Sequence, residues 1–189
     1  MRNESANFVG KLLIAMPGME DPRFHHAVIF ICAHSEDGAM GLIVNKPTPE
    51  IRFTDLLEQL QITPEPCLRD IRVHFGGPVE NAHGFVLHSA DYRSGKGTVT
   101  VDDTTSMTAT LDVLEDIAHG RGPEKSMLAL GYAGWGPGQL EGEIGRNGWL
   151  TADSRRDILF GRANDHKWSA ALKQLGIDPL TLSAQSGRA

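Results

Sequence analysis

Cysteine is nearly absent from this chain: Cys32 and Cys67 are the only two in 189 residues. No C-x-x-C occurs, which excludes a dithiol redox motif and a zinc knuckle built on paired thiolates. Cys32 lies in the apolar run AVIFICAH, where a small buried thiol is expected. Aromatic residues make up only 6% of the chain, which leaves little for a base-stacking platform on single-stranded nucleic acid. Basic residues are outnumbered, 18 Lys and Arg against 24 Asp and Glu, for a formal charge of −6. No Lys or Arg run offsets that balance, so direct DNA binding, which depends on neutralising phosphates, is not expected. No apolar run approaches the roughly 20 residues that cross a bilayer. The N-terminal MRNESANFVGKLLIAMPG makes a poor signal peptide. These absences read as a cytoplasmic protein with no membrane partner.

Catalytic signatures are missing too. There is no G-x-S-x-G elbow and no H-E-x-x-H. The glycine-rich stretch GYAGWGPGQLEGEI, Gly131 to Ile144, comes nearest to a phosphate loop, since Gly131 and Gly136 have Walker spacing. Pro137 and Gly138 stand where Lys and a hydroxyl residue are required, and Pro137 removes an N–H that a phosphate nest uses. Gly134, Gly136 and Gly138 are spaced by two, which breaks the dinucleotide fingerprint as well. The stretch reads instead as a tight turn around Trp135 that feeds a short acidic helix. The eight histidines show no paired-ligand spacing. No metal, cofactor or catalytic residue is therefore assigned.

What is present suits one globular domain: 40% apolar and 22% charged residues in a chain of ordinary domain length. Lys11–Met16 reads as a strand, and Ala27–Ala33 with Met40–Asn45 as a hairpin around HSEDG. Ile71–Phe75, Gly84–His88, Thr98–Val101 and Met127–Leu130 are further strand candidates. Helices are expected near Phe53–Leu60, from about Met107 to His119, over Gln139–Arg146 and from about Asp165 to Leu175. Residues 1–9 read as a polar leader, 10–178 as the domain and 179–189 as a flexible polar tail. Strands in adjacent runs, with helices inserted rather than alternating, predict an α+β fold on a mixed or mostly antiparallel sheet. Asn45-Lys46-Pro47 ends a hydrophobic strand with an amide and an ammonium, a place where binding rims form.

Taken together, "LLIAMPGMEDPRFHHAVIFICAHSEDGAMGLIVNKP", "HFGGPVENAHGFVLHS" and "LGYAGWGPGQLEGEIGRNGWL" resemble the bacterial YqgE/AlgH family. The resemblance runs from about Gly10 to the helix around Trp168. It implies a compact single domain with a bulged, strongly curved β-sheet flanked by helices. It implies no particular reaction; the family carries a transcriptional-regulator label. Most of its motif positions are Gly, Pro or apolar residues that specify turns and packing. The polar ones are Asn45, Lys46, His88, Gln139 and Glu141, and with Trp135 they form the candidate ligand- or partner-binding set. The expectation is a non-catalytic, cytosolic accessory or regulatory protein. It would bind a protein partner or small ligand through a cleft rimmed by the loops after Asn45, Gly76 and Gly134. One alternative is a hydrolase or transferase that brings His88 and Glu141 together only in the fold. Another is a transcriptional regulator, acting directly or indirectly.

Overall fold

The computed structural model describes residues 6–66, 69–95 and 97–185. Cys67 lies outside the described residues, as do the first five positions of the polar leader and the last four of the tail. The strands are β1 (Lys11–Ala15), β2 (Val28–Ser35), β3 (Gly38–Ile43), β4 (Pro47–Arg52), β5 (Arg72–Phe75), β6 (Val79–Ser89), β7 (Thr98–Thr100), β8 (Thr105–Thr108), β9 (Ser126–Trp135) and β10 (Trp149–Asp153). The α-helices among the described residues are α1 (Phe53–Gln59), α2 (Leu111–Ala118), α3 (Gln139–Gly145), α4 (Arg156–Phe160), α5 (Asn164–Gln174) and α6 (Pro179–Gln185), and a short 3-10 turn spans Pro22–Phe24. The α+β expectation holds: one strongly curled, half-barrel sheet carries all of them.

The strands run in the order β10-β1-β2-β3-β9-β6-β8-β7. Pairing is antiparallel throughout that path, and β5 lies parallel to β9, so the sheet is mixed. β9 is the hinge of the architecture. Its first half pairs with β5 and β6, and its last residues pair with β3. Successive residues of β1 point to opposite faces and both faces are covered. Leu12 and Ile14 enter a core closed by α4 and α5, with Phe30, Leu42, Leu87 and Trp168. Leu13 and Ala15 enter a second core with Ile29, Ile43, Trp135 and Trp149, which Leu140 of α3 closes. A third cluster seats α1 and α2 through Phe53, Leu57, Val113 and Ile117 against Val73, Val86 and Leu128.

Several elements differ from the sequence reading, each for a physical reason. The stretch Gly131–Trp135 is not a turn; it is the second half of β9. Gly131 adopts φ +74, and a Cβ there would overlap the Gly77 carbonyl oxygen, so glycine lets β9 press against the β5–β6 connection. Opposite it β6 bulges, taking five steps from Val79 to Gly84 against two along β9. β4 continues through Pro47 and Pro49, because it is an edge strand that needs few ladder donors. Met107 belongs to β8, paired with Leu87, so the expected helix starts only at Leu111. β10 and α4 had no expectation assigned. From Pro179, where the polar tail was placed, the chain forms α6; Leu180 N–H bonds Asp178 Oδ1 at 2.9 Å, and Leu182 packs on the main core. No helix among the described residues is long and apolar enough to cross a membrane.

Candidate functional site

The six candidate residues fall into three separate polar clusters. Asn45 ties two chain segments: its Oδ1 accepts from Val28 N–H at 2.9 Å and its Nδ2 donates to His26 O at 2.8 Å. Lys46 Nζ donates to His25 O at 2.8 Å, and partial burial lowers its pKa. Both side chains thus hold the His25–Val28 backbone. That loop is unusual in itself. His26 adopts φ +50, and its ring is stacked between His25 and Trp168.

His88 is fully enclosed. Its Nδ1 donates to Ser89 O at 2.8 Å, which leaves Nε2 of the neutral ring to accept from the Thr108 hydroxyl at 2.8 Å. Burial lowers its pKa and keeps it neutral. His88 and Glu141 share no partner, so they do not converge on one reacting atom as the hydrolase or transferase reading required.

Trp135, Gln139 and Glu141 sit around α3 but serve two different contacts. Trp135 Nε1 and Trp149 Nε1 both donate to Glu143 Oε2, at 3.0 and 2.8 Å. Gln139 Nε2 donates to Glu143 Oε1 at 3.0 Å while its Oε1 accepts from Gly136 N–H at 3.0 Å. Glu143, which the sequence reading passed over, therefore fastens α3 to the sheet. Glu141 faces another neighbour, accepting from His34 Nε2 at 2.6 Å, and its pKa is held down by its own backbone N–H and by His34.

A concavity lies elsewhere, and none of the six lines it. It is a cleft of about 570 Å³ between the α1–β5 connection, the α2–β9 connection and the α4–α5 turn. Arg72, His74, Arg162 and Lys167 form one wall, with Asp91 also contributing. Lys167 is only 4% exposed. Its ammonium donates to Val44 O at 2.8 Å and Leu159 O at 3.4 Å and has no ion-pair partner among the described residues. Burial, then the Arg72 charge, brings its pKa down to about 8.

The neighbouring groups sharpen this picture. His74 is 3% exposed, and burial followed by the Lys167 charge lowers its pKa. Its Nδ1 donates to Arg72 O at 3.2 Å, so the neutral ring presents a lone pair at Nε2, 3.3 Å from Asn164 Oδ1. Asn164 Nδ2 is buried without a partner among the described residues. Arg72 and Arg69 spend one N–H each on a carbonyl, of Arg162 and Glu124, both at 2.8 Å. Asp91 is occupied: burial opposes its ionisation, but the Ser89 hydroxyl and Glu124 N–H hold its pKa below the usual range. Exposed Glu65, Arg69, Asp70, Glu124 and Lys125 also line the cleft, and among the described residues no carboxylate pairs with Lys167, Arg72 or Arg162.

A sequence signal for this wall does exist. On α5 the buried positions are Asn164, Lys167, Trp168, Ala171 and Leu172, so an amide and an ammonium occupy a helical core stripe. Among the described residues, no group of three His, Cys, Asp or Glu side chains is placed to hold a metal ion.

Known proteins match over the whole length of the chain. A UPF0301 protein from Paracoccus denitrificans is 58% identical over 189 residues, covering 99% of this chain and all of that one. A UPF0301 protein from Ruegeria pomeroyi is 60% identical over 185 residues, covering 97% of this chain and all of that one. The solution structure of AlgH from Pseudomonas aeruginosa superposes with a TM-score of 0.78 at 40% identity, each chain covered completely. A crystal structure of a Corynebacterium diphtheriae protein shares the fold at a TM-score of 0.73 and 20% identity, covering 94% of this chain and 90% of that one. The family model described as AlgH-like (DUF179) matches residues 12–180, and the chain belongs to that family.

Proposed function

We propose that this protein is a non-catalytic, cytosolic binding protein of accessory or regulatory type, whose cleft takes a small anionic ligand against Lys167. One observation carries the reading: a buried ammonium in a cleft, beside Arg72, that bonds carbonyl oxygens and has no ion-pair partner among the described residues. A charge kept out of water without a counter-ion is costly, and a ligand anion would supply the missing partner. The Arg72 and Arg162 side chains on the same wall add donors that suit a carboxylate or phosphate. The cleft volume suits a metabolite-sized molecule rather than a protein segment.

Thermal unfolding in the presence of small carboxylates and inorganic phosphate tests this directly. A ligand at 100 times its Kd stabilises the fold by about 2.7 kcal/mol. The wild type is expected to respond to at least one anion, with the response lost in Lys167→Met and weakened in Arg72→Gln. Equal responses from wild type and Lys167→Met across the series would sink the reading.

A further inference from the structure

The same wall suggests a chemistry beyond ionic attraction. Ammonium groups that only pair with anions are ordinarily exposed and mobile; Lys167 is instead fixed by two carbonyl oxygens at the end of a covered stem. Arg72 and Arg162 line the same cleft as Lys167, and Arg72 is near enough for its charge to act on the ammonium, so a ligand whose anionic group the two guanidinium groups hold would bring its other atoms toward Lys167 Nζ. Among the described residues no acid side chain pairs with Nζ to lock it as a cation.

We propose that Lys167 captures small carbonyl compounds bearing a carboxylate, of the 2-oxo acid class, as a reversible imine in this cleft. The proposal rests on the anion-binding reading above, because the carboxylate is what brings the carbonyl carbon to Nζ. Lys167 first releases one proton to water. The freed lone pair attacks the carbonyl carbon, a C–N bond forms, and the C=O π pair moves to oxygen. The two amine protons pass through solvent to that oxygen, which leaves as water while the nitrogen lone pair closes the C=N bond. Nothing is oxidised or reduced, and one water is released for each carbonyl captured. In the unliganded cleft a pKa near 8 makes the amine available at neutral pH far more often than an ordinary lysine, and the carboxylate must rest on the two arginines rather than on Nζ for that to persist.

Glyoxylate with sodium cyanoborohydride is the probe, used on the full-length wild-type protein at pH 7.5 and read by peptide mass. Reduction of the imine leaves a carboxymethyl group on the reacting lysine. Labelling of Lys167 is expected at least about tenfold faster than that of Lys125, an exposed lysine on the same cleft. Arg72→Gln should slow glyoxylate labelling of Lys167 several-fold while leaving its labelling by formaldehyde, which has no carboxylate, unchanged. Labelling of Lys167 no faster than of Lys125 overturns the proposal. If glyoxylate then still raises the melting temperature of the wild type but not of Lys167→Met, imine capture falls while anion binding stands. If it does neither, both fall. An Arg72→Gln effect of equal size on both aldehydes overturns the part assigned to the carboxylate.

Discussion

Trp135 and Trp149, on strands at different places in the sheet, donate their indole N–H groups to the same oxygen, Oε2 of Glu143. Their rings meet edge to face, with centroids 6.2 Å apart. One carboxylate therefore satisfies two buried indoles and one amide, and α3 cannot leave the sheet without stranding all three. Glu143→Ala is expected to cost about 2–4 kcal/mol, since unpaired buried donors carry their desolvation penalty. Glu141→Ala, in the same helix but with a partly exposed side chain, should cost about 1 kcal/mol or less. Urea denaturation of both variants checks the ordering, and equal losses would show that the shared acceptor has no special role.

Two glycines of one motif separate close approach from backbone conformation. Gly131 and Gly138 both have φ near +70, at +74 and +71. Around Gly138 a Cβ would meet nothing within 4 Å, whereas at Gly131 it would overlap Gly77 O and approach Val79 O at 3.0 Å. Gly138→Ala should therefore cost only the left-handed penalty of about 1–2 kcal/mol. Gly131→Ala should cost markedly more, because β9 and the β5–β6 connection must part. Equal melting temperatures for the two variants would contradict this account.

How far the sequence disclosed these features depended on whether their causes were local. The β2–β3 hairpin was legible because β-branched residues flank Asp37-Gly38. The second half of β9 was not, because glycines there read as turn residues while the reason for Gly131 lies in Gly77, far along the chain. Trp135 is legible as the aromatic at the centre of its motif, but Glu143 is not distinguishable from Glu141 without knowing which helix face meets the sheet. Asn45 and Lys46 were noticed as polar groups at a strand end, and their backbone partners at His25, His26 and Val28 come only from tertiary contact. The cleft is built from four separate stretches, so composition and spacing could not announce it. Its one local trace was Lys167 within the apolar stripe of α5.

Acidification should destabilise the fold through its buried imidazoles. Burial lowers the pKa of His74 and of His88, so the unfolded chain takes up protons that the folded state refuses. Stability from these groups is complete above the unfolded histidine value of about 6.5 and falls as pH drops below it. His88→Asn should flatten the slope of unfolding free energy between about pH 6.5 and 5 relative to wild type. The check is a series of urea titrations across that range; an unchanged slope would mean that His88 charges in place.

Lys167 makes the opposite end of the pH scale informative. Its folded pKa of about 8 lies below the ordinary 10.5, so the folded state holds fewer protons than the unfolded chain between those values. By linkage, wild-type stability gains from this group as pH rises through that window, by about 3 kcal/mol for a shift of this size. The same amount burdens the fold at neutral pH, where Lys167 is charged and has no counter-ion among the described residues. Lys167→Met removes the burden but also strands the Val44 and Leu159 carbonyls, so its absolute stability at pH 7 combines two opposing effects. The difference between variant and wild type is the clean observable. It should move in the wild type's favour by about 3 kcal/mol from pH 7.5 to 10.5, and a bound anion should shrink that movement by charging Lys167 in the folded state. A difference that does not vary with pH would mean that the Lys167 ammonium is as well solvated in the cleft as in the unfolded chain.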